Sequence, residues 1–587
     1  MIKICFAQEM YFPLQSTQAL SAYLKNAGHQ TDVAIGNTNE IVDYILKTKP
    51  DLIAFSVLTA YRNHMLATSS AIKDAGIKTP IIAGGYDITF MPQILENSDL
   101  DMICVGEGGE PVVELANEID KGTDLESLDI GNIHIKQSNG NIKKNPMRYW
   151  MMDLDQAPFD DRDIYWEKDD YFKILPFIQV LAGRGCPYPC TYCFNDGYKK
   201  IHMENGMAGK EYTNFRSVDH VIKELKMLSE KYSAKDFFFN DSTLTWNKKW
   251  IIDFCKAYKE SGLKQTFSIN GVIPELTEEV CKALASTGKC RLIRWGLETG
   301  NDSFRIKTLR KGIRNDLIIE VTDRLNRHGL RYSMQMMLGL PGETKEYAWD
   351  TINMARRVTG KTGVHGINIF KPFPGLEINN IGLELGEYQA SDVVAPGSVI
   401  PTTLSEESKE DIDTPKDEVY LPEDEAYLIS RASMHKTGSS QSELDSNSVQ
   451  GEIDRDKEIS MISENLDEDQ LGNGFIRNKE VYEDDRVHND NPYGESNFGT
   501  RNMVFYDNYR RDRLGRYILK LSRYSHLAIR FPGLRPVIEK LIKLPDNVFN
   551  RTIWKGTEGL LNIRVHAGAP WSYFVKYLFF HAGKQVR

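Results

Sequence analysis

Gly183-Arg184-Gly185-Cys186-Pro187-Tyr188-Pro189-Cys190-Thr191-Tyr192-Cys193-Phe194 sets three thiols in a C-x3-C-x2-C spacing. Three thiolates that close can each take one iron of a cubane [4Fe–4S] cluster, whereas an electron-transfer cluster of that type uses four Cys ligands. A missing fourth protein ligand leaves one iron open, and an open position marks a catalytic metal. The competing readings are three unrelated thiols and a structural zinc site. Such sites bring a fourth Cys or His at matched spacing, and here the nearest downstream candidates, His202 and His220, supply no second ligand pair.

The chain has 587 residues and 8 cysteines, a length that predicts two to four domains of about 150 residues each. Cys5, Cys104, Cys255, Cys281 and Cys290 are scattered and none lies beyond Cys290, so a disulfide framework is excluded and a reducing, cytoplasmic setting is expected. Met1-Ile2-Lys3-Ile4 turns polar too soon for a signal peptide. No run of about 18 apolar residues occurs, so no membrane span is expected. The net charge of −10 is unevenly spread: residues 401–490 hold 25 acidic and 9 basic side chains, residues 501–587 hold 17 basic and 5 acidic.

Upstream of the cysteines, apolar runs alternate with amphipathic helices. Strands are predicted at Lys3–Ala7, Thr31–Ile35, Asp51–Ser56, Pro80–Gly84 and Met102–Val105, with helices at Leu20–Ala27, Asn39–Lys47 and Tyr61–Ala75. That alternation implies a doubly wound, Rossmann-like parallel sheet covered on both faces, with ligands at the carboxyl ends of its strands. Those ends carry Ser56-Val57-Leu58-Thr59, Gly84-Gly85-Tyr86 and Gly106-Glu107-Gly108. Glycines there let a backbone approach a bulky ligand.

From Phe177 the pattern restarts with strands at Phe177–Ala182, Asp236–Asn240, Thr266–Asn270, Leu292–Leu297, Ser333–Leu338 and Gly366–Phe370. Six strands with intervening helices predict a partial (β/α)6 barrel with function at its carboxyl strand ends. These ends carry Phe237-Phe238-Phe239-Asn240-Asp241-Ser242-Thr243, Gly296-Leu297-Glu298-Thr299-Gly300, Leu338-Gly339-Leu340-Pro341-Gly342-Glu343-Thr344 and Lys371-Pro372-Phe373-Pro374-Gly375.

In order and spacing, the cysteines and these strand ends resemble the cobalamin-dependent radical S-adenosylmethionine (SAM) family. The branch is the one that holds radical SAM methyltransferases and the anaerobic Mg-protoporphyrin monomethyl ester cyclase. The resemblance covers about residues 1–375 and includes Arg216-Ser217. It implies that Cys186, Cys190 and Cys193 ligate the cluster and that Tyr192 lies against the adenine or the cluster. Asn240 and Asp241 would meet the SAM amino group, Glu298 and more weakly Asn270 the ribose, and Gly339 and Pro341 the adenine. Arg216 or Arg294 would pair with the SAM carboxylate, a surface salt bridge being the alternative for each. Cobalamin would lie on Ser56, Leu58, Thr59, Gly84, Gly85, Tyr86, Gly106, Glu107 and Gly108. No catalytic side chain is assigned. The Asp-x-His-x-x-Gly motif of His-ligated cobalamin proteins is absent, since the first strand runs into Gln8-Glu9-Met10-Tyr11-Phe12-Pro13. The cobalt is therefore expected to have no His beneath it, and His29 and His64 read as helix-surface or core residues. A degenerate domain kept for packing or another ligand is the alternative. A second cluster is not expected, because only Cys5 and Cys104 lie upstream of the triplet and the last cysteine is Cys290.

The expected organisation is a cobalamin-binding domain over 1–150, a linker over 151–172 and a barrel over 173–390. An acidic, disordered insert over 391–500 and a basic, aromatic, mainly helical region over 501–587 follow. The last region is expected to cap the barrel, with peripheral membrane contact as the second reading. An apolar or lipid-like small-molecule substrate then follows. No nucleic-acid module is recognisable. By this resemblance the protein methylates an unactivated carbon, using SAM, a [4Fe–4S] cluster, cobalamin and an electron donor such as flavodoxin or ferredoxin. The alternatives are radical cyclisation or oxidation without methyl transfer, and a non-catalytic cobalamin- or metal-binding sensor.

Overall fold

The computed structural model describes residues 1–148, 153–173, 175, 177–359, 364–388, 393, 521, 533 and 535–543. The acidic segment expected over 391–500, apart from 393, and most of 501–587 lie outside these residues.

Strands β1 (Lys3–Gln8), β2 (Gln30–Ile35), β3 (Leu52–Ser56), β4 (Ile81–Gly84) and β5 (Met102–Cys104) pair in parallel in the order β2-β1-β3-β4-β5. Ile4, Cys5, Leu52, Ile53, Ile81 and Ile103 are wholly buried, as a sheet covered on both faces requires. The helices announce themselves by their caps. Asn37 and Glu40 form a reciprocal capping box at the start of Thr38–Thr48, whose Ile41 and Ile45 face the core. The sheet continues beyond the expected strands. β6 (Ile133–Lys136) and β7 (Ile142–Lys144) add antiparallel to β5. Ile133 and Ile135 are buried while His134 and Lys136 are half-buried, an alternation too short to stand out in the sequence.

The second sheet holds β8 (Phe177–Val180), β11 (Asp236–Phe239), β12 (Thr266–Asn270), β13 (Cys290–Glu298), β14 (Tyr332–Leu338) and β15 (Val364–Ile369). Its order β15-β14-β13-β12-β11-β8 is parallel throughout, and the six expected barrel strands are all present. Between β8 and β11 a short antiparallel pair, β9 (Gly183–Arg184) with β10 (Asn214–Phe215), was not anticipated. Phe239, Phe254 and Phe267 meet edge-to-face in the barrel core, with Phe237 wholly buried. Helix Val218–Lys231, capped by Ser217, turns Val221, Ile222, Leu225 and Leu228 onto it.

Part of the C-terminal region returns to this body. Helix Arg535–Lys543 buries Ile538 and Ile542, and the Arg535 guanidinium lies 4.5 Å from the Trp349 ring on helix Lys345–Thr359. Among the described residues no helix is long and apolar enough to cross a membrane.

Candidate active site

The cysteine loop is clamped from several directions. Gly185 has φ +78°, and a Cβ there would lie 1.9 Å from the Tyr212 carbonyl oxygen. Thr191 donates its N–H to Leu309 O (3.2 Å) and its hydroxyl to Thr308 O (2.8 Å), and accepts from Ile378 N (3.0 Å). Cys193 caps helix Phe194–Glu204. Burial pushes the Cys190 thiol up to about 12 and raises Cys186 and Cys193, with repulsion from Cys193 adding at Cys186. Such thiols ionise only against a soft cation, so the donor set suits an iron–sulfur cluster. Among the described residues no three His, Cys, Asp or Glu side chains converge on one metal ion. Cubane ligands need no such convergence, because each takes a different iron.

Beside the loop stands a group that the sequence revealed only in part. Lys311 Nζ lies 2.9 Å from Glu298 Oε1 and 3.2 Å from the Tyr192 hydroxyl. Glu298 holds φ +64°, where the β13–β14 register shifts, a strained backbone of the kind found at ligand sites. Gly296 makes room for it: a Cβ there would lie 1.7 Å from Glu298 Oε1. Lys311 escaped the sequence reading although Leu309-Arg310-Lys311-Gly312 follows the Gly-Leu-Glu-Thr-Gly motif closely.

The other expected SAM residues separate into two groups. Asp241 is buried, and its carboxylate accepts from Gly183 N (2.5 Å) and Ala182 N (3.1 Å), so it anchors β9. Burial pushes it up to about 7, against those backbone hydrogen bonds. Its neighbour Asn240 presents an exposed amide at the β11 end. Asn270 donates to Asp241 O (2.9 Å). Arg216 donates to Leu181 O (2.8 Å) and to Glu224 (2.5 Å), a carboxylate also held by buried Arg162. Arg294 stacks over Phe238. Gly339, at φ +80°, donates to buried Glu343 (2.6 Å), which shapes the turn containing Pro341.

In the first sheet the strand order reverses between β1 and β3, the switch point at which open α/β sheets take ligands. A shallow cleft opens there, lined by Gln8, Glu9, Met10, Ser56, Leu58 and His64 among others. Gln8 donates to Met10 O (2.5 Å) and Phe12 O (2.9 Å), closing the loop after β1 on itself. His64 lies in the cleft wall near Thr68 (3.4 Å), and burial lowers its pKa. His29 is buried beside Asn117. Ser56 bonds Ser16 (2.7 Å), and Thr59 opens a short turn. Gly84 lies against Cys104, and a Cβ on Gly85 (φ +109°) would come 2.8 Å from Val57 O. Gly106 donates to Thr89, and Gly108 lies against Leu20. Leu58 and Tyr86 are exposed, 44% and 45%, leaving an apolar face beside the glycines for a large ligand to cover.

These strand ends meet the cysteine loop. Tyr86 stacks on Phe194, one residue after Cys193, and meets Tyr198 edge-on. Glu107 pairs with Arg184. Asn240 donates to Gln15 Oε1 (3.0 Å).

Residues 13–116 match the B12 binding domain, and residues 180–355 match the Radical SAM superfamily. The chain is 26% identical over 344 residues to an uncharacterised methyltransferase of Pyrococcus horikoshii, covering 58% of this chain and 71% of that one. It is 23% identical over 334 residues to the anaerobic magnesium-protoporphyrin IX monomethyl ester cyclase of Cereibacter sphaeroides, covering 54% of this chain and about half (51%) of the cyclase. Among solved structures it resembles the radical SAM methyltransferase TsrM from Kitasatospora setae at 14% identity and a TM-score of 0.53, covering 66% of this chain and 78% of that one. That likeness shows a shared fold. From the two family matches, the cofactors are a [4Fe–4S] cluster, SAM and cobalamin. The chain joins a B12-binding domain to a radical SAM domain, in that order.

Proposed function

We propose that the protein is a cobalamin-dependent radical SAM C-methyltransferase acting on an unactivated carbon of a small molecule. One observation carries this reading: the B12-binding strand ends and the cysteine loop face one another, joined by Glu107–Arg184, Tyr86–Phe194 and Gln15–Asn240. When bound there, the cofactors supply a one-electron hydrogen abstraction and a transferable methyl group. The chain's own residues position and protect. Cys186, Cys190 and Cys193 hold three irons. The Asn240 amide oxygen accepts from the SAM ammonium, and Lys311 offers its ammonium to the SAM carboxylate. Glu298 takes the ribose hydroxyls, Tyr192 covers an aromatic face, and Gly339 and Pro341 leave room for adenine. Ser56, Leu58, Thr59, Tyr86 and the glycine segments bear the corrin. Phe194, Tyr198 and Phe90 pack the junction and exclude water.

The methyltransferase relatives support methyl transfer, while the cyclase relative supports a second reading, ring closure without it. The reductant is proposed to be of flavodoxin or ferredoxin type. The basic, aromatic 501–587 segment supports peripheral membrane contact, tested by binding to anionic vesicles at low salt.

The test is anaerobic reconstitution with iron, sulfide and hydroxocobalamin, followed by reduction in the presence of SAM and product analysis. About four irons with bound cobalt, 5′-deoxyadenosine and S-adenosylhomocysteine are expected. Deoxyadenosine without S-adenosylhomocysteine moves the reading to cyclisation. A fully loaded protein that forms neither is a sensor.

A further inference from the structure

The Gln15 side chain belongs to the B12-binding domain but faces the barrel. Its Oε1 accepts from Asn240 Nδ2 at 3.0 Å. This contact uses one N–H of the Asn240 amide and leaves its acceptor end, Oδ1, directed elsewhere. An ammonium ligand requires an acceptor, so the orientation of this amide decides whether Asn240 can serve one. Gln15 Nε2 is buried and makes no hydrogen bond. Leaving a buried donor unmade is unfavourable, so the amide is held for something other than its own packing. The contact lies near the cluster loop. Ser242, two residues beyond Asn240, accepts from Asn195 at 2.9 Å, and Asn195 lies 3.8 Å from Cys193 Sγ.

We propose that Gln15 is a positioning residue for SAM: through Asn240 it fixes the acceptor that receives the SAM ammonium, so the B12-binding domain completes the SAM site. The proposal rests on the reading of Asn240 given above. It makes SAM affinity depend on a residue of the other cofactor's domain.

The test is equilibrium dialysis of radiolabelled SAM against the full-length, cluster- and cobalamin-loaded protein, with iron and cobalt contents measured for each variant. Asn240→Ala is expected to weaken SAM binding about tenfold, and Gln15→Leu about fivefold, the range of one directed hydrogen bond. Gln15→Glu keeps the accepting oxygen and retains affinity within about twofold. In the Asn240→Ala background, Gln15→Leu adds nothing further, since the two act as one unit. Gln15→Leu without effect while Asn240→Ala weakens SAM overturns the inference alone. Additive losses also overturn it, because they indicate general loosening. If neither substitution changes SAM affinity, the reading of Asn240 fails and the inference falls with it.

Discussion

Glu107, in the loop after β5, accepts a charged hydrogen bond from Arg184, two residues ahead of Cys186. The pair ties the Gly-Glu-Gly segment of one sheet to the cysteine loop of the other across 77 residues of sequence. Its side chains are 31% and 27% exposed, so its worth lies between that of a surface pair and a buried one, about 1 kcal/mol. Glu107→Ala is expected to lower the melting temperature by a few degrees and to release cobalt while iron stays. Calorimetry and metal analysis of the anaerobically loaded protein check this. Equal loss of both metals would mean that the pair supports the whole fold rather than the junction.

The cysteine assignment is tested by substitution one thiol at a time. Cys186→Ser, Cys190→Ser and Cys193→Ser should each remove most of the roughly four irons and the reduced-cluster electron paramagnetic resonance signal. Cys290→Ala is the control, because Cys290 stands at the start of β13, at the opposite end of that strand from Glu298. It should keep both iron and signal.

What could be read from the sequence was what is local in the chain. The cysteine spacing, the glycine segments and the six barrel strands are contiguous signals, and the structure gathers the cysteines and glycines at the carboxyl strand ends. Contacts made by folding were not legible. Lys311 reaches Tyr192 across 119 residues and Arg184 reaches Glu107 across 77. Asp241 looked like the natural partner for an ammonium because it is a carboxylate at a strand end. Only the fold shows it turned inward onto Ala182 and Gly183. The ion pair of Arg216 was out of reach for the same reason: Glu224, its partner, lies two turns along the next helix.

Asp241 also sets a pH dependence. Burial raises its folded pKa to about 7 from the ordinary 3.8. The native state therefore holds this proton longer than the unfolded chain. Its contribution to stability is fully present below about pH 4 and is lost as pH rises through 7. The carboxylates held low by their partners, such as Glu224 and Glu377, act in the opposite sense and below pH 4.5. Asp241 should thus contribute a decline in stability between about pH 4 and 7, by on the order of 1.4 kcal/mol per unit at most. His64, His134, His202 and His220, whose pKa values burial lowers, contribute the opposite slope, and urea unfolding of the metal-free protein measures the sum. Asp241→Asn should remove the declining contribution.

Gly185 occupies a conformation and a space that other residues cannot share. Its φ is +78°, and a Cβ would sit 1.9 Å from the backbone oxygen of Tyr212. The left-handed backbone alone costs a side-chain-bearing residue about 1–2 kcal/mol, and the clash is with main chain, which cannot rotate away. Gly185→Ala should strip the cluster while leaving bound cobalt in place, read by iron and cobalt analysis. Gly206 also has positive φ (+94°), but a Cβ there meets nothing within 4 Å. Gly206→Ala should therefore keep its iron.

Lys311 can be separated from its partner by a double substitution. Lys311 and Glu298 are 11% and 12% exposed and 2.9 Å apart. Lys311→Met leaves the Glu298 carboxylate buried without its cation, at a cost of about 3 kcal/mol, and removes the proposed partner of the SAM carboxylate. The expected result is lower stability together with SAM affinity reduced tenfold or more. Adding Glu298→Gln discharges the stranded carboxylate, so stability should recover most of its loss. SAM affinity should stay low, because no cation has returned to face the ligand. Recovery of both would show that Lys311 serves only to neutralise Glu298, and the SAM carboxylate would then need another partner.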